Sequence, residues 1–188
     1  LGKDGIGKEE LMTKYCQSEF TEDNIKNLGI RFIERKITVA NKPINIVIWS
    51  VSNESLKNYL DMVKVCSEGS HAIILAFDLT SIESLTFIED LYKNMHECND
   101  TAKYFVVGTK FDHYFELSDQ EKFNITEKAK NFAKDIGSIC LIYCSDTKSI
   151  NIKKLFQILI GSVFGLTPKI EQIDDYTKPI IIYDMKKD

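Results

Sequence analysis

Three apolar runs, 71–77, 104–108 and 139–144, are each followed by a stretch in which apolar residues recur at helical spacing. Runs of this kind have no polar face, so they read as strands buried on both sides rather than as half-exposed ones. After the first, Ser81 opens a helix through Leu85, Ile88, Leu91 and Met95; after the second, 123–136 reads as a helix closed by Gly137; after the third, 150–164 is a long amphipathic helix ending before Gly165. Strand alternating with helix predicts right-handed crossover units, and hence an α/β fold with a mostly parallel central sheet and helices on both faces. A ligand crevice is then expected at the carboxyl ends of the strands. Upstream, 8–17 has helical character, 28–40 alternates apolar and polar residues like a strand, and a hairpin at Asn41-Lys42-Pro43 leads into the β-branched run 44–48. Leu56, Leu60, Val63 and Cys66 then recur at helical spacing.

A chain of 188 residues, 44% of them hydrophobic, supports one core and not two comfortable ones. No repeat or Pro-rich linker interrupts it, so the expected division is one domain over 1–166 and a C-terminal tail, 167–188, lying along its surface. A net charge of -4, with lysines scattered among acids, argues against a nucleic-acid binder. The five cysteines (Cys16, Cys66, Cys98, Cys140, Cys144) form no Cys-x-x-Cys pair and sit mostly in apolar segments, which reads as reduced thiols in a cytosolic protein. His71, His96 and His113 are dispersed without ligand spacing and give no metal site. No run reaches the roughly 20 apolar residues of a membrane helix. Residues 182–188 carry no cysteine, so no prenyl anchor is expected there and any membrane targeting falls to a partner.

Gly2-Lys3-Asp4-Gly5-Ile6-Gly7-Lys8 has the spacing of a phosphate-binding loop, in which glycines let backbone N–H groups wrap phosphate oxygens and the lysine reaches the terminal ones. The motif begins at once, so the strand that should feed it is expected to be truncated. Its next position calls for Ser or Thr, whose hydroxyl ligates Mg²⁺, and here it is Glu9. A carboxylate can also ligate Mg²⁺, but beside phosphates it adds repulsion, and it could instead pair with Lys8 and occupy the phosphate seat. In Thr109-Lys110-Phe111-Asp112, directly after a buried-type strand, the Asp112 carboxylate can accept two hydrogen bonds from the N1–H and 2-amino group of guanine while the Lys110 stem covers the base. Adenine offers no such donor pair. Taken alone, this segment and Ser145-Asp146-Thr147-Lys148 could equally be two polar turns at strand ends.

Together the motifs resemble a Ras-superfamily small GTPase over essentially the whole chain. The likeness is greatest to the septum-promoting, mitotic-exit branch. It rests on Lys8-x-x-Leu11-Met12-x-Lys14-Tyr15, Leu28-Gly29-Ile30-x-Phe32-x-x-Arg35-Lys36, Phe77-Asp78-Leu79-Thr80, Val107-Gly108-Thr109-Lys110-x-Asp112 and Cys144-Ser145-x-x-Lys148-Ser149-Ile150-Asn151, with the apolar end Pro179-Ile180-Ile181-Ile182-Tyr183. The resemblance implies a Ras-like phosphate-loop G domain binding GTP or GDP. The nucleotide would be held by Asp4, Gly5, Ile6, Gly7, Lys8, Glu9, Phe20, Thr109, Lys110, Asp112, Asp146, Thr147 and Lys148. Phe20 falls where the family packs an aromatic edge on the base, and the 145–148 loop where a backbone N–H faces the base oxygen.

The same resemblance exposes departures. The family hydrolyses GTP with Mg²⁺ held by the loop hydroxyl and a second-strand Asp, a switch threonine sensing the terminal phosphate, and a glutamine orienting water. Glu9 stands for the hydroxyl, Asn27 for the threonine, Trp49 for the Asp, and Val51-Ser52-Asn53 for the Gly-Gly-Gln that ends the second switch, with Asn53 at the glutamine position. Trp49 is expected to pack into the vacated Mg²⁺ site, and loss of the glycine to remove the backbone N–H that turns toward the terminal phosphate. The expectation is a guanine-nucleotide-binding signalling protein in septation or mitotic exit with impaired or absent hydrolysis. Its rivals are a slow but competent GTPase and a nucleotide-free scaffold. A kinase or GAP-like partner would dock through 24–36 and 50–62, in the cytoplasm, at spindle poles or the division site.

Overall fold

In the computed structural model, residues 1–16, the backbone of 22–25, and residues 29–53 and 59–184 are described. The elements follow in the order α1 (Lys8–Cys16), β1 (Glu22–Ile25), β2 (Ile30–Val39), β3 (Lys42–Val51), α2 (Tyr59–Ser67), β4 (Ala72–Asp78) and α3 (Ile82–Met95). After a 3₁₀ turn at His96–Cys98 come β5 (Lys103–Thr109), the single turn α4 (Phe111–Tyr114), α5 (Asp119–Asp135), β6 (Cys140–Tyr143), α6 (Ile152–Val163) and β7 (Ile181–Tyr183).

The three apolar runs become neighbouring parallel strands, with β4 beside β5 and β5 beside β6, so the expected α/β sheet is present. Because both faces are buried, successive side chains feed two cores. Ile73, Leu75 and Phe77 of β4, Tyr104 and Val106 of β5, and Leu141 and Tyr143 of β6 meet α3 and α5 on one face. Phe105 and Val107 of β5 and Cys140, Ile142 and Cys144 point the other way, against Leu11 of α1 and Leu155, Phe156 and Ile158 of α6. Each strand therefore hangs its carboxyl end from a sheet fixed on both sides, which keeps the loops after β4, β5 and β6 in register.

A separate antiparallel sheet, β1-β2-β3, lies upstream. Its hairpin turns on two residues, Ala40 (φ 47°) and Asn41 (φ 63°). Both lie in the left-handed region, the pattern of a tight two-residue hairpin whose twist matches its strands, so the turn is 40–41 rather than Asn41-Lys42-Pro43, β2 ending at Val39 and β3 starting at Lys42. α1 ties this hairpin to the rest. The Arg35 guanidinium donates to the Tyr15 carbonyl and lies 4.3 Å from the centroid of the Tyr15 ring, which stacks on Phe156 of α6. Leu1 runs beside β4 in the parallel sense, its amino nitrogen donating to the Ile74 carbonyl (2.7 Å) and its carbonyl accepting from the Ala76 N–H (2.8 Å).

Two boundaries differ from expectation. α5 begins at Asp119, a turn before the expected 123. Ser118 caps it, accepting from the Glu121 N–H while the Glu121 carboxylate accepts from the Ser118 N–H, a reciprocal box that needs no apolar residue. Ser118→Ala is expected to cost about 1 kcal/mol, and so roughly 2–4 °C in the thermal midpoint of a domain this size; an unchanged midpoint would show the cap to be idle. At the other end, part of the segment expected on the surface lies in the core. Ile180 and Ile181 are fully buried, and β7 pairs antiparallel with β6. A three-residue strand is too short to show a period, but its run of isoleucines is what a buried edge requires.

Candidate functional site

Phosphate-loop residues 2–7 lead directly into α1. Gly5 (φ 75°) and Gly7 (φ 91°) take backbone angles that side chains resist, which lets the loop curl. Ile6 is buried and can contribute only its backbone to a ligand. Lys8 is buried inside the curl, and its ammonium donates to the carbonyls of Gly2 (2.9 Å) and Lys3 (2.8 Å) and to Asp4 Oδ1 (2.9 Å), the full three bonds such a group can make.

The anion beside Lys8 is thus Asp4, which corrects the expectation that Glu9 could fill the phosphate seat. Glu9 turns instead to β3, where its Oε1 accepts from the Ser50 hydroxyl at 2.8 Å. Trp49 is likewise not in the Mg²⁺ position. It is 46% exposed and packs on Phe32 of β2 at 5.1 Å on the outer side of the hairpin. The reason is the period of two in a strand: Ile44, Ile46 and Ile48 are half-buried on the side that ends in buried Ser50, whereas Asn45, Val47 and Trp49 are exposed on the other. The β-branched residues at 44, 46 and 48 were the signal that could have identified Ser50.

The second switch reaches the loop through Asp4. Ser52 donates to Asp4 Oδ2 (2.5 Å), the Asn53 N–H donates to Asp4 Oδ1 (3.2 Å), and the Asp4 N–H donates to Asn53 Oδ1 (2.5 Å). The Tyr59 hydroxyl is buried nearby; burial first, and then the Asp4 carboxylate, push its pKa well above that of a free phenol. Phe20 and Asn27 lie outside the described residues.

On the other side of the crevice, the Thr109 hydroxyl is buried and donates to the Phe77 carbonyl (2.9 Å), tying the ends of β4 and β5 together rather than facing a ligand. Lys110 turns out of β5 in the left-handed region (φ 57°), and its ammonium pairs with Asp78 Oδ2 at 2.8 Å. Burial opposes charge on Asp78, but hydrogen bonds from Lys110 and Thr80 outweigh it and hold its carboxyl below the usual range. Asp78 is therefore a site residue that sequence reasoning missed: it fixes the Lys110 stem. Asp112, mostly buried at the start of α4, has an Oδ1 without a hydrogen-bond partner among the described residues. Burial disfavours its charge too, yet the nearby Ser145 and Thr147 hydroxyls favour the ionised form more and hold its carboxyl low. A buried carboxylate oxygen without a partner is an unsatisfied acceptor, and such acceptors cost stability until a donor reaches them.

The 145–150 loop closes on itself, with Ser145 and Ile150 exchanging backbone hydrogen bonds, and the Lys148 N–H and the Thr147 hydroxyl both meet the Ser145 hydroxyl at 3.1 and 3.0 Å. Ser145, fully buried, stood in the motif of this loop but not among the residues expected to hold nucleotide. Asp146 brings this loop to the phosphate side, because a Cβ built on Gly7 would lie 4.0 Å from its Oδ1. The phosphate loop and the loop after β6 thus approach each other at Gly7 and Asp146, while Lys110 and Asp112 follow the carboxyl end of β5.

A glycine loop opening a helix, with Lys110 and Asp112 in the turn two strands away, is the arrangement found in guanine-nucleotide-binding domains. The sequence pattern of the Ras family matches residues 1–164, and the chain belongs to that family. It is 32% identical over 183 residues to septum-promoting GTP-binding protein 1 of Schizosaccharomyces pombe, covering 97% of this chain and 91% of that protein. It is also 25% identical over 183 residues to the Ras-related protein Rab-25 of Bos taurus, covering 97% and 82% of the two chains. No helix among the described residues is long and apolar enough to cross a membrane.

Proposed function

We propose that this chain is a guanine-nucleotide-binding signalling protein of septation or mitotic exit with impaired or absent GTP hydrolysis, residues 1–166 forming the G domain and 167–188 packing onto it. The observation that carries the reading is Asp112: its carboxylate, with a buried Oδ1 that has no hydrogen-bond partner among the described residues, stands two residues after Lys110, whose ammonium is held by Asp78, and suits the donor edge of guanine. The place in septation rests on the likeness to the fission-yeast septum-promoting protein. Weak hydrolysis rests on the second switch. With Ser50 rather than Trp49 facing Glu9, the family spacing moves forward by one residue, which puts Ser52-Asn53 at the two glycines and Glu54, outside the described residues, at the glutamine. A carboxylate there cannot offer the amide that orients water.

The donor set fits Mg²⁺ in a transposed form. The family places a hydroxyl on the loop and a carboxylate on the strand; here Glu9 supplies the carboxylate from the loop and Ser50 the hydroxyl from the strand, within 2.8 Å of each other. Both are the hard oxygens this ion prefers. Mg²⁺ bound there would neutralise phosphate charge, while Glu9 and Ser50 orient one another. Partner binding, by a kinase or GAP-like protein, is assigned to 24–36 and 50–62, and Val47 and Trp49, 41% and 46% exposed, extend that surface with an apolar edge. Recruitment from the cytoplasm to spindle poles or the division site would follow from such a partner.

Thermal unfolding with GDP, GTP and ATP, each in Mg²⁺ and in EDTA, tests the proposal. Nucleotide at about 100-fold its dissociation constant should add about 2.7 kcal/mol, several degrees in midpoint, for guanine nucleotides alone. The part of the shift lost in EDTA should disappear in Glu9→Ala. No shift with any nucleotide leaves a nucleotide-free scaffold, and phosphate released from GTP at rates typical of enzymes would reveal a competent GTPase.

A further inference from the structure

We propose that Asp4 is an in-chain substitute for the terminal phosphate, so that this site selects the guanosine diphosphate over the triphosphate and keeps its second switch closed without GTP. The inference rests on the guanine-nucleotide reading above and refines it.

In a phosphate-loop site the groups that meet the terminal phosphate include the loop lysine and the second switch. Here both are engaged by one carboxylate. Asp4 Oδ1 accepts from Lys8 Nζ at 2.9 Å and from the Asn53 N–H at 3.2 Å, while its Oδ2 accepts from Ser52 at 2.5 Å. The Asn53 side chain returns a bond to the Asp4 N–H, so the switch is stitched to the loop from both directions. The site is sheltered: the side chains of Lys8 and Asp4 are 4% and 18% exposed, and Tyr59 buries its hydroxyl beside them. Charged hydrogen bonds in such surroundings are among the stronger ones.

A triphosphate must displace Asp4 from Lys8 and from the switch, and then sit with its most highly charged group against the freed carboxylate. A diphosphate can use the backbone N–H groups of the loop and leave Asp4 where it is. The backbone N–H that turns toward the terminal phosphate in the family is therefore present here, and its acceptor belongs to the chain itself.

The test is equilibrium binding of fluorescent GDP and of a non-hydrolysable GTP analogue to the wild-type chain, Asp4→Asn and Asp4→Ala, together with hydrogen exchange of amides 50–53 in nucleotide-free protein. The wild type should favour GDP by about tenfold or more, equivalent to about 1.4 kcal/mol. Both variants should bring the ratio near one, and Asp4→Ala should speed exchange at Asn53 by about tenfold. Equal affinities in the wild type, or a ratio unmoved by either variant, would overturn the substitute-phosphate role while leaving guanine binding intact. Failure of all three proteins to bind either nucleotide would overturn the guanine reading itself, and unchanged exchange at Asn53 would separately sink the closed switch.

Discussion

Asp112→Asn is expected to weaken GDP binding by about 100-fold and to make xanthosine diphosphate the better ligand. The Asp112 carboxylate is suited to take both the N1–H and the 2-amino group of guanine, and bonds to a charged acceptor are worth about 1.5–3 kcal/mol each. An asparagine keeps the shape but turns one acceptor into a donor. It then faces the 2-amino group donor to donor, whereas the 2-oxo group of xanthine accepts from it. The substitution keeps the size of the side chain, and Lys110 stays held by Asp78 independently of it. Competition of GDP and xanthosine diphosphate against a fluorescent nucleotide measures the exchange of preference. Undiminished GDP affinity would mean that the base does not sit on Asp112.

Phe77→Ala should remove about 3–5 kcal/mol of stability, the cost of emptying a large buried ring site. Phe77 is fully buried in β4 and meets Tyr143 of β6 edge-on at 6.5 Å, so no neighbour from solvent can fill the space. In a chain this long the loss corresponds to roughly 6–20 °C in midpoint. Denaturant unfolding should show the transition moving with an unchanged slope, which separates lost stability from a changed unfolded state. A drop below about 1 kcal/mol would indicate a core that collapses around the gap.

The parts that could be read from the sequence are those in which one residue type does one job. Buried parallel strands need continuous apolar runs, and β4, β5 and β6 announced themselves that way. Asp112 could be read as an acid at a fixed distance behind a strand, and it lies at the start of α4, three residues past the end of β5. What escaped depends on pairs of residues far apart in the chain. Glu9 and Ser50 are 41 residues apart; Glu9 alone looks like a lost metal ligand and the place of the second fell on Trp49, and only across the loop and strand do the two appear as a matched carboxylate and hydroxyl. Asp4 was legible as a loop residue but not as the partner of Ser52 and Asn53, since nothing local marks a bond that spans 48 residues. The start of α5 was hidden for the opposite reason: its first turn is entirely polar and is specified by the cap, which a search for apolar period passes over.

The hairpin β2-β3 has one side toward the phosphate loop and the other toward solvent. Its inner side ends at Ser50, next to the stitches that Ser52 and Asn53 make to Asp4, and its outer side carries Trp49, the sole tryptophan of the chain, against Phe32. Trp49 is thus one residue along β3 from Ser50 yet 46% exposed, so intrinsic fluorescence reports on the outer side of this hairpin without label or added chromophore.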